Sequence, residues 1–309
     1  MGLNRRDFLK KTALIAGTAV IGASPVAAGQ GPGQADARYG VLVDTTVCNG
    51  CRRCEWACND WNKNPNLPVK AFDDKSVFAE LRRTHAQTFT VVNRFVNPED
   101  SLPIYVKKQC MHCEVPACED ACFVDAFKKT GTGAVVYNDS LCVGCRYCMI
   151  ACPFDIPAYE YHEPITPRVT KCTFCFDRIV RDGEIPACVQ ICPTETLRFG
   201  RRQDLIALAH EKIRNNPRRY VDHVYGEHEV GGTSWLYLSS VPFEHIGFRT
   251  DIGKKPIPDA SKGFLFTTKV LEIAAAWPLV YGAFYMISRR KENDMEKKTP
   301  AVERDKHGK

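Results

Sequence analysis

Several motifs are missing from this chain of 309 residues, and each absence closes off a class of chemistry. No histidine follows a C-x-x-C pair: Cys54, Cys113, Cys148 and Cys175 are followed by Glu55, Glu114, Met149 and Phe176, so c-type haem has no attachment motif. No G-x-G-x-x-G loop is present to cradle a dinucleotide. His112, His162, His210, His223, His228 and His245 lack metal-ligand spacing and read as surface or packing residues. Finally, no cysteine is left over to act as a catalytic nucleophile, because all sixteen fall into four groups of four.

The groups are Cys48, Cys51, Cys54, Cys58; Cys110, Cys113, Cys118, Cys122; Cys142, Cys145, Cys148, Cys152; and Cys172, Cys175, Cys188, Cys192. Two residues between cysteines let a chain curl round one cubane, so that three thiolates reach three irons from a single loop. The fourth ligand comes from elsewhere: in the run C-x2-C-x2-C-x3-C-P the last cysteine serves the other cluster. Two groups carry that run, Cys142 to Pro153 and, with an insertion, Cys172 to Pro193. The other two lack the proline, since Asn59 follows Cys58 and Phe123 follows Cys122. Proline there shapes the chain and ligates nothing, so the four groups predict four [4Fe-4S] clusters with all sixteen cysteines as iron ligands.

Two rival readings compete, both for a non-redox scaffold. A disulfide framework is opposed by the tight C-x2-C loops, within which bridging is unfavourable. Zinc would use two cysteines per loop and leave the third and fourth without a role.

The chain ends predict export and anchoring. Asn4-Arg5-Arg6-Asp7-Phe8-Leu9-Lys10, a modestly apolar stretch and Pro25-Val26-Ala27-Ala28 read as a twin-arginine signal over 1–28. That pathway moves folded proteins, which suits a chain that must take up metal before crossing. Residues 264–287 are largely apolar and would span about 36 Å as a helix, enough for one transmembrane crossing. Lys269 and Glu272 interrupt the stretch as an interfacial pair. Arg289-Arg290-Lys291 place the charged tail, 288–309, on the cytoplasmic side, and the composition of that tail predicts disorder. The body would then lie on the periplasmic face of the bacterial inner membrane, as a single-pass protein. The formal charge of +6 does not argue for nucleic acid. Removing the signal and adding about −2 for each oxidised cube with its thiolates brings the loaded chain to about −5.

Each cysteine group is introduced by a strand-like run, at 40–43, 103–106, 133–137 and 168–170. The fold class expected is α+β: two bacterial-type di-cluster ferredoxin modules with insertions, plus one C-terminal transmembrane helix. The four-cluster region occupies 39–200, with groups two and three in one module and groups one and four in the other. Exchange of the final cysteines predicts four sites: Cys48, Cys51, Cys54 with Cys192; Cys58 with Cys172, Cys175, Cys188; Cys110, Cys113, Cys118 with Cys152; and Cys122 with Cys142, Cys145, Cys148. An insertion at 59–109 reads as a docking surface. An extension at 201–262 packs on the modules and contains a helix over 204–215 capped by Asp204. Lys107, Lys108, Arg52, Arg53 and Arg146 flank the cluster loops; they could tune cluster potentials, and cluster-solvating surface charge explains them as well.

Lys107-Lys108-Gln109-Cys110-Met111-His112-Cys113, Cys142-Val143-Gly144-Cys145-Arg146-Tyr147-Cys148-Met149, Tyr225-Gly226-Glu227 and Gly231-Gly232-Thr233 carry a specific resemblance. From about Tyr39 to Phe248 the chain resembles the four-cluster iron-sulfur subunits of molybdopterin oxidoreductases and membrane hydrogenases. A signal with a C-terminal anchor is similar to the HybA-type subunit. Phe72-Asp73-Asp74, Phe123 and Val241-Pro242-Phe243 look closest to the iron-sulfur subunit of the high-molecular-weight cytochrome c complex of sulfate reducers. The resemblance implies an electron-transfer subunit with no bond chemistry of its own. Its implied partners are a periplasmic cytochrome c, hydrogenase or molybdopterin catalytic subunit, and an integral membrane subunit binding quinone or haem. The alternative within the same group is the beta subunit of a formate dehydrogenase.

Overall fold

The computed structural model describes residues 38–258, 277–278 and 280–290. The expected signal (1–28) and most of the tail (288–309) lie outside the described residues, as do 264–276 and 279 of the expected membrane segment. Among the described residues no helix is long and apolar enough to cross a membrane.

The central element is strand β1, Tyr39–Asp44, whose Val41, Leu42 and Val43 are all buried. A continuous apolar run of this kind belongs between two covered faces rather than at a half-wet edge. Leu42 packs with Leu205, Ala209 and Ile213 of a long helix, while Val41 and Val43 face a second core containing Trp235, Tyr237 and Phe174. Helix α1, Arg53–Trp61, follows the first cysteine loop. A hairpin of β2, Thr90–Val96, and β3, Pro103–Gln109, then precedes the second loop. After it come α2, Ala117–Asp120, and the hairpin of β4, Phe127–Lys129, with β5, Val135–Tyr137. The third loop leads into α3, Tyr147–Ala151, and a two-residue pairing of β6, Ala158–Tyr159, with β7, Val169–Thr170. The fourth group occupies α4, Phe176–Arg181, and α5, Ala187–Gln190, with their flanking turns. Strand β8, Leu197–Arg201, helix α6, Arg202–Asn215, and strand β9, Trp235–Leu238, complete the domain.

The three-stranded sheet runs β8-β1-β9, with β1 antiparallel to β8 and parallel to β9. The last segment of the chain thus supplies a strand to the sheet that the first segment begins. Helix α6 starts two residues earlier than expected: Arg201 is its cap residue, without a side-chain capping bond, and Asp204 sits in the first turn, where it opposes the positive end of the helix dipole. Asp44, at the end of β1, receives hydrogen bonds from Lys212 Nζ (2.7 Å), Tyr220 Oη (2.8 Å) and Thr46 Oγ1 (2.6 Å). Burial pushes its carboxyl up, but these bonds outweigh it and hold the group below its ordinary value.

Glu55 clamps α1 to the β2–β3 hairpin. Its buried carboxylate accepts from Arg52 Nη2 (3.1 Å), Arg82 Nη2 (2.5 Å) and the Val92 amide (2.6 Å). Replacing one partner of such a buried network strands the others, so Glu55→Gln is expected to cost about 3–5 kcal/mol, read as a lowered urea midpoint at unchanged slope.

A second carboxylate serves the Tyr225–Thr233 turn. Glu229 accepts from the Gly226 amide (2.6 Å) and pairs with His223 (2.7 Å). That hydrogen bond raises the His223 pKa against a smaller opposing effect of burial. A raised histidine stabilises the fold fully below its unfolded value and loses the contribution as pH climbs through the folded one. His223 is half-exposed, so the contribution stays under about 1 kcal/mol. The wild-type advantage over His223→Gln in urea is expected below the ordinary histidine value of about 6.5 and should shrink as pH climbs above it.

Candidate functional site

The four cysteine loops are two local designs, each used twice. In the first, an Asx turn precedes the loop: Asp44 accepts from the Thr46 amide, and Asn138 accepts from the Ser140 amide (3.1 Å). A short 3-10 turn then delivers Cys48 or Cys142. Gly50 and Gly144 follow with φ of +66° and +73°. Arg52 and Arg146, with φ of 59° and 62°, cap helices α1 and α3 in the left-handed conformation. Two left-handed residues in close succession bend the chain tightly enough to turn three cysteines inward.

The second design serves groups two and four. His112 and Phe174 take the left-handed position, with φ of 51° and 60°, inside Cys110-Met111-His112-Cys113 and Cys172-Thr173-Phe174-Cys175. Pro116 and Pro186 then open the four-residue helices α2 and α5, which carry Cys118 and Cys188. After Cys122 and Cys192, left-handed Asp125 and Glu195 steer the chain into β4 and β8. Because β1 pairs with β8 and β5 with β4, one loop of the first design faces one of the second in each sheet.

That pairing brings thiols together across the sequence. Cys48 lies in electrostatic contact with Cys192 and Cys51. These three and Cys54 line one small cavity with Val92, Lys107, Thr194 and Thr196. Cys58 neighbours Cys172, Cys188 and Cys175. Cys113 neighbours Cys110, Cys152 and Cys118, and Cys148 neighbours Cys142, Cys145 and Cys122. Electrostatic reach links these neighbourhoods in a row: Cys54 to Cys188, Cys172 to Cys110, and Cys118 to Cys148.

All sixteen thiols are free. Burial pushes Cys48, Cys152 and Cys175 up to about 11 and Cys148 and Cys172 up to about 12. They are therefore neutral thiols at pH 7 without metal, and ligation must release their protons. Amides are already aimed at sulfur: Gly144 N lies 3.4 Å from Cys142 Sγ, Phe174 N 3.4 Å from Cys172 Sγ, and Ala126 N 3.2 Å from Cys122 Sγ. Thr194 Oγ1 lies 3.8 Å from Cys192 Sγ, and the hydroxyls of Tyr137 and Thr196 lie near Cys142 and Cys48. Such donors favour thiolate over thiol and set cluster potentials. Among the described residues no group of three or more His, Cys, Asp or Glu is placed to hold a single ion. A cubane asks for something else, four thiolates spread over four irons, and the donor set fits that group.

Several residues read as surface in the sequence are interior. Lys107 is 3 % exposed and Arg52 8 %. His112 is fully buried, as a packing residue: its ring lies tilted against Phe174 at 5.0 Å between centroids and its Nδ1 accepts from the Val135 amide (2.8 Å). Cys145 is the exposed member of the sixteen, and Val143, Tyr147 and Ile150 around it are exposed as well.

Thiol quartets on paired left-handed loops define a ferredoxin-like iron-sulfur protein of mixed α and β structure. The 4Fe-4S dicluster domain family matches residues 103–202. A protein of Nitratidesulfovibrio vulgaris is 48 % identical over 294 residues, covering 94 % of this chain and 78 % of its own. The hydrogenase-2 operon protein HybA of Escherichia coli O157:H7 is 34 % identical, over 79 % of this chain and 83 % of its own. The formate dehydrogenase-O iron-sulfur subunit of E. coli K12 is 36 % identical, over 64 % and 65 %. The chain belongs to this family of 4Fe-4S iron-sulfur subunits, which are electron-transfer rather than catalytic subunits of oxidoreductases.

Two glycines test the loop design. A Cβ on Gly50 would sit 2.4 Å from the Tyr105 ring, whereas one on Gly183, at the same φ of +66°, meets nothing within 4 Å. Gly183→Ala should cost only the left-handed penalty, about 1–2 kcal/mol, at full iron content. Gly50→Ala is expected to cost more and to lower iron per chain by about a quarter, measured by colorimetric iron assay.

Proposed function

We propose that this protein is an exported, membrane-anchored electron conduit holding four [4Fe-4S] clusters. The observation that carries the reading is the row of four thiol neighbourhoods. Cys48, Cys51, Cys54 and Cys192 would hold the first cluster, and Cys58, Cys172, Cys175 and Cys188 the second. Cys110, Cys113, Cys118 and Cys152 would hold the third, and Cys122, Cys142, Cys145 and Cys148 the fourth. When bound, the clusters accept and release single electrons at little structural cost. The chain's own work is to fix them in order, to keep water from the buried sulfurs and to supply amide and hydroxyl donors that set their potentials.

The partners proposed are a periplasmic multihaem cytochrome c or hydrogenase at one end and an integral membrane subunit handling quinone or haem at the other. The apolar side chains around Cys145 support a covered, partner-facing fourth site, because a surface cluster ringed by exposed Val143, Tyr147 and Ile150 invites an apolar contact. The anchor is supported by Trp277, Val280, Tyr281, Phe284, Met286 and Ile287, which are exposed apolar residues on the described part of the terminal helix. A formate dehydrogenase beta subunit is the second reading. The alignment to HybA covers more of both chains, and this favours the first.

Iron, acid-labile sulfide and zinc per chain, with the spin count of the reduced EPR spectrum, test the reading. About sixteen iron and sixteen sulfide are expected; zinc in place of iron would sink it. The crossing is tested by paired substitutions. Cys58→Ser with Cys175→Ser is expected to lose about four irons, no more than either alone, while Cys54→Ser with Cys58→Ser loses about eight.

A further inference from the structure

Lys107 is a buried cation that has no carboxylate partner among the described residues, where its ammonium donates one hydrogen bond, to Gln109 Oε1 at 2.9 Å. It lies on β3 between Val106 and Lys108, at a point where the strand is covered on both faces. Its ammonium sits 4.5 Å from the centroid of the Trp235 ring. Gln109 is itself fixed by Tyr237 Oη (2.6 Å), which donates back to the Lys107 carbonyl (2.9 Å). This closed ring of bonds holds the side chain in one place. Lys107 lines the cavity shared by Cys48, Cys51, Cys54 and Cys192. It also lies within electrostatic reach of Cys58, Cys172, Cys175 and Cys188 in the adjoining neighbourhood.

Half-buried Lys129 and buried Lys171 are held differently. Lys129 pairs with Glu114 (3.3 Å), so that its charge is offset locally. Lys171 donates to the carbonyls of Val135 (2.5 Å) and Cys172 (3.2 Å). A cation kept from water without a carboxylate needs its counter-charge elsewhere, and the two cysteine quartets flanking Lys107 would supply it once they ligate iron as thiolates.

We propose that Lys107 is the shared electrostatic tuning residue of two adjacent clusters, raising the reduction potentials of both the Cys48 and the Cys58 sites above those of a neutral side chain in its place. The inference rests on the four-cluster reading. An electron added to either cube increases negative charge beside a fixed ammonium, and the low-dielectric surroundings leave that attraction poorly screened. One residue at the junction thereby keeps two neighbouring sites close in potential, which a conduit between them requires.

The test compares the full chain with Lys107→Met and Lys107→Arg by anaerobic potentiometric EPR titration, with iron per chain measured on each. Signals are assigned by Cys54→Ser and Cys58→Ser. Lys107→Met is expected to retain its iron and to lower both assigned potentials by at least a tenfold change in reduction equilibrium, about 59 mV for one electron. Lys107→Arg should keep most of the wild-type value, and the other two sites should not move. Full iron with wild-type potentials in Lys107→Met overturns the proposal, as does an equal fall in Lys107→Arg, which would indicate packing rather than charge. Should Lys107→Met shed the two clusters, retention of both by Lys107→Arg supports the charge requirement, and loss from both variants overturns it. Failure of the wild-type chain to hold clusters would instead overturn the conduit reading itself.

Discussion

Negative charge on buried sulfur is the constraint on which the other features depend. A thiol at the depth of Cys58 or Cys113 resists ionisation, yet a metal ligand must be a thiolate. The protein meets that demand with oriented dipoles and a few fixed cations. Amides two or more residues beyond a cysteine point at its sulfur, and the Thr194 hydroxyl lies 3.8 Å from Cys192 Sγ. The left-handed residues belong to the same solution, because a chain that did not reverse so sharply could not present its amides and its thiols to one point.

The same constraint explains the duplicated plan. One loop design supplies an Asx turn, a glycine and a left-handed arginine; the other supplies a left-handed residue and a proline-led short helix. Neither surrounds a cubane alone. Pairing β1 with β8 and β5 with β4 sets one of each face to face. The first pair is reinforced by β9, α6 and the aromatic core of Tyr225, Tyr237, Phe243 and Phe248, while the second stays a two-stranded ribbon with its outer cysteine exposed. One end of the row is therefore packed against the aromatic core, and the other has an exposed cysteine.

This asymmetry fits a family whose members serve hydrogenases and formate dehydrogenases as iron-sulfur subunits. A conduit needs a buried middle, where potentials are set by the protein, and ends that a partner can approach. Exposed apolar residues stand around Cys145 and along the described part of the terminal helix.

By itself the sequence determined what is local. Cysteine spacing, the C-x-G-C glycines, the run of Val41 to Val43 and the strand-like segments before each group are short-range signals, and the strands β1, β3, β5 and β7 form where those signals lie. The start of α6 was misplaced by two residues because Asp204 has a capping residue's chemistry but not its position. Only the tertiary structure decided depth and neighbourhood. Lys107, Arg52 and Glu55 look like surface charge in a one-dimensional reading, since nothing local distinguishes a solvated lysine from one sealed under Trp235 by a strand more than a hundred residues away. The return of β9 to the sheet begun by β1, and the linear order of the thiol neighbourhoods, arise the same way. Both depend on which surfaces meet when the chain closes on itself, and that is settled by burial summed over the whole domain rather than by any segment of it.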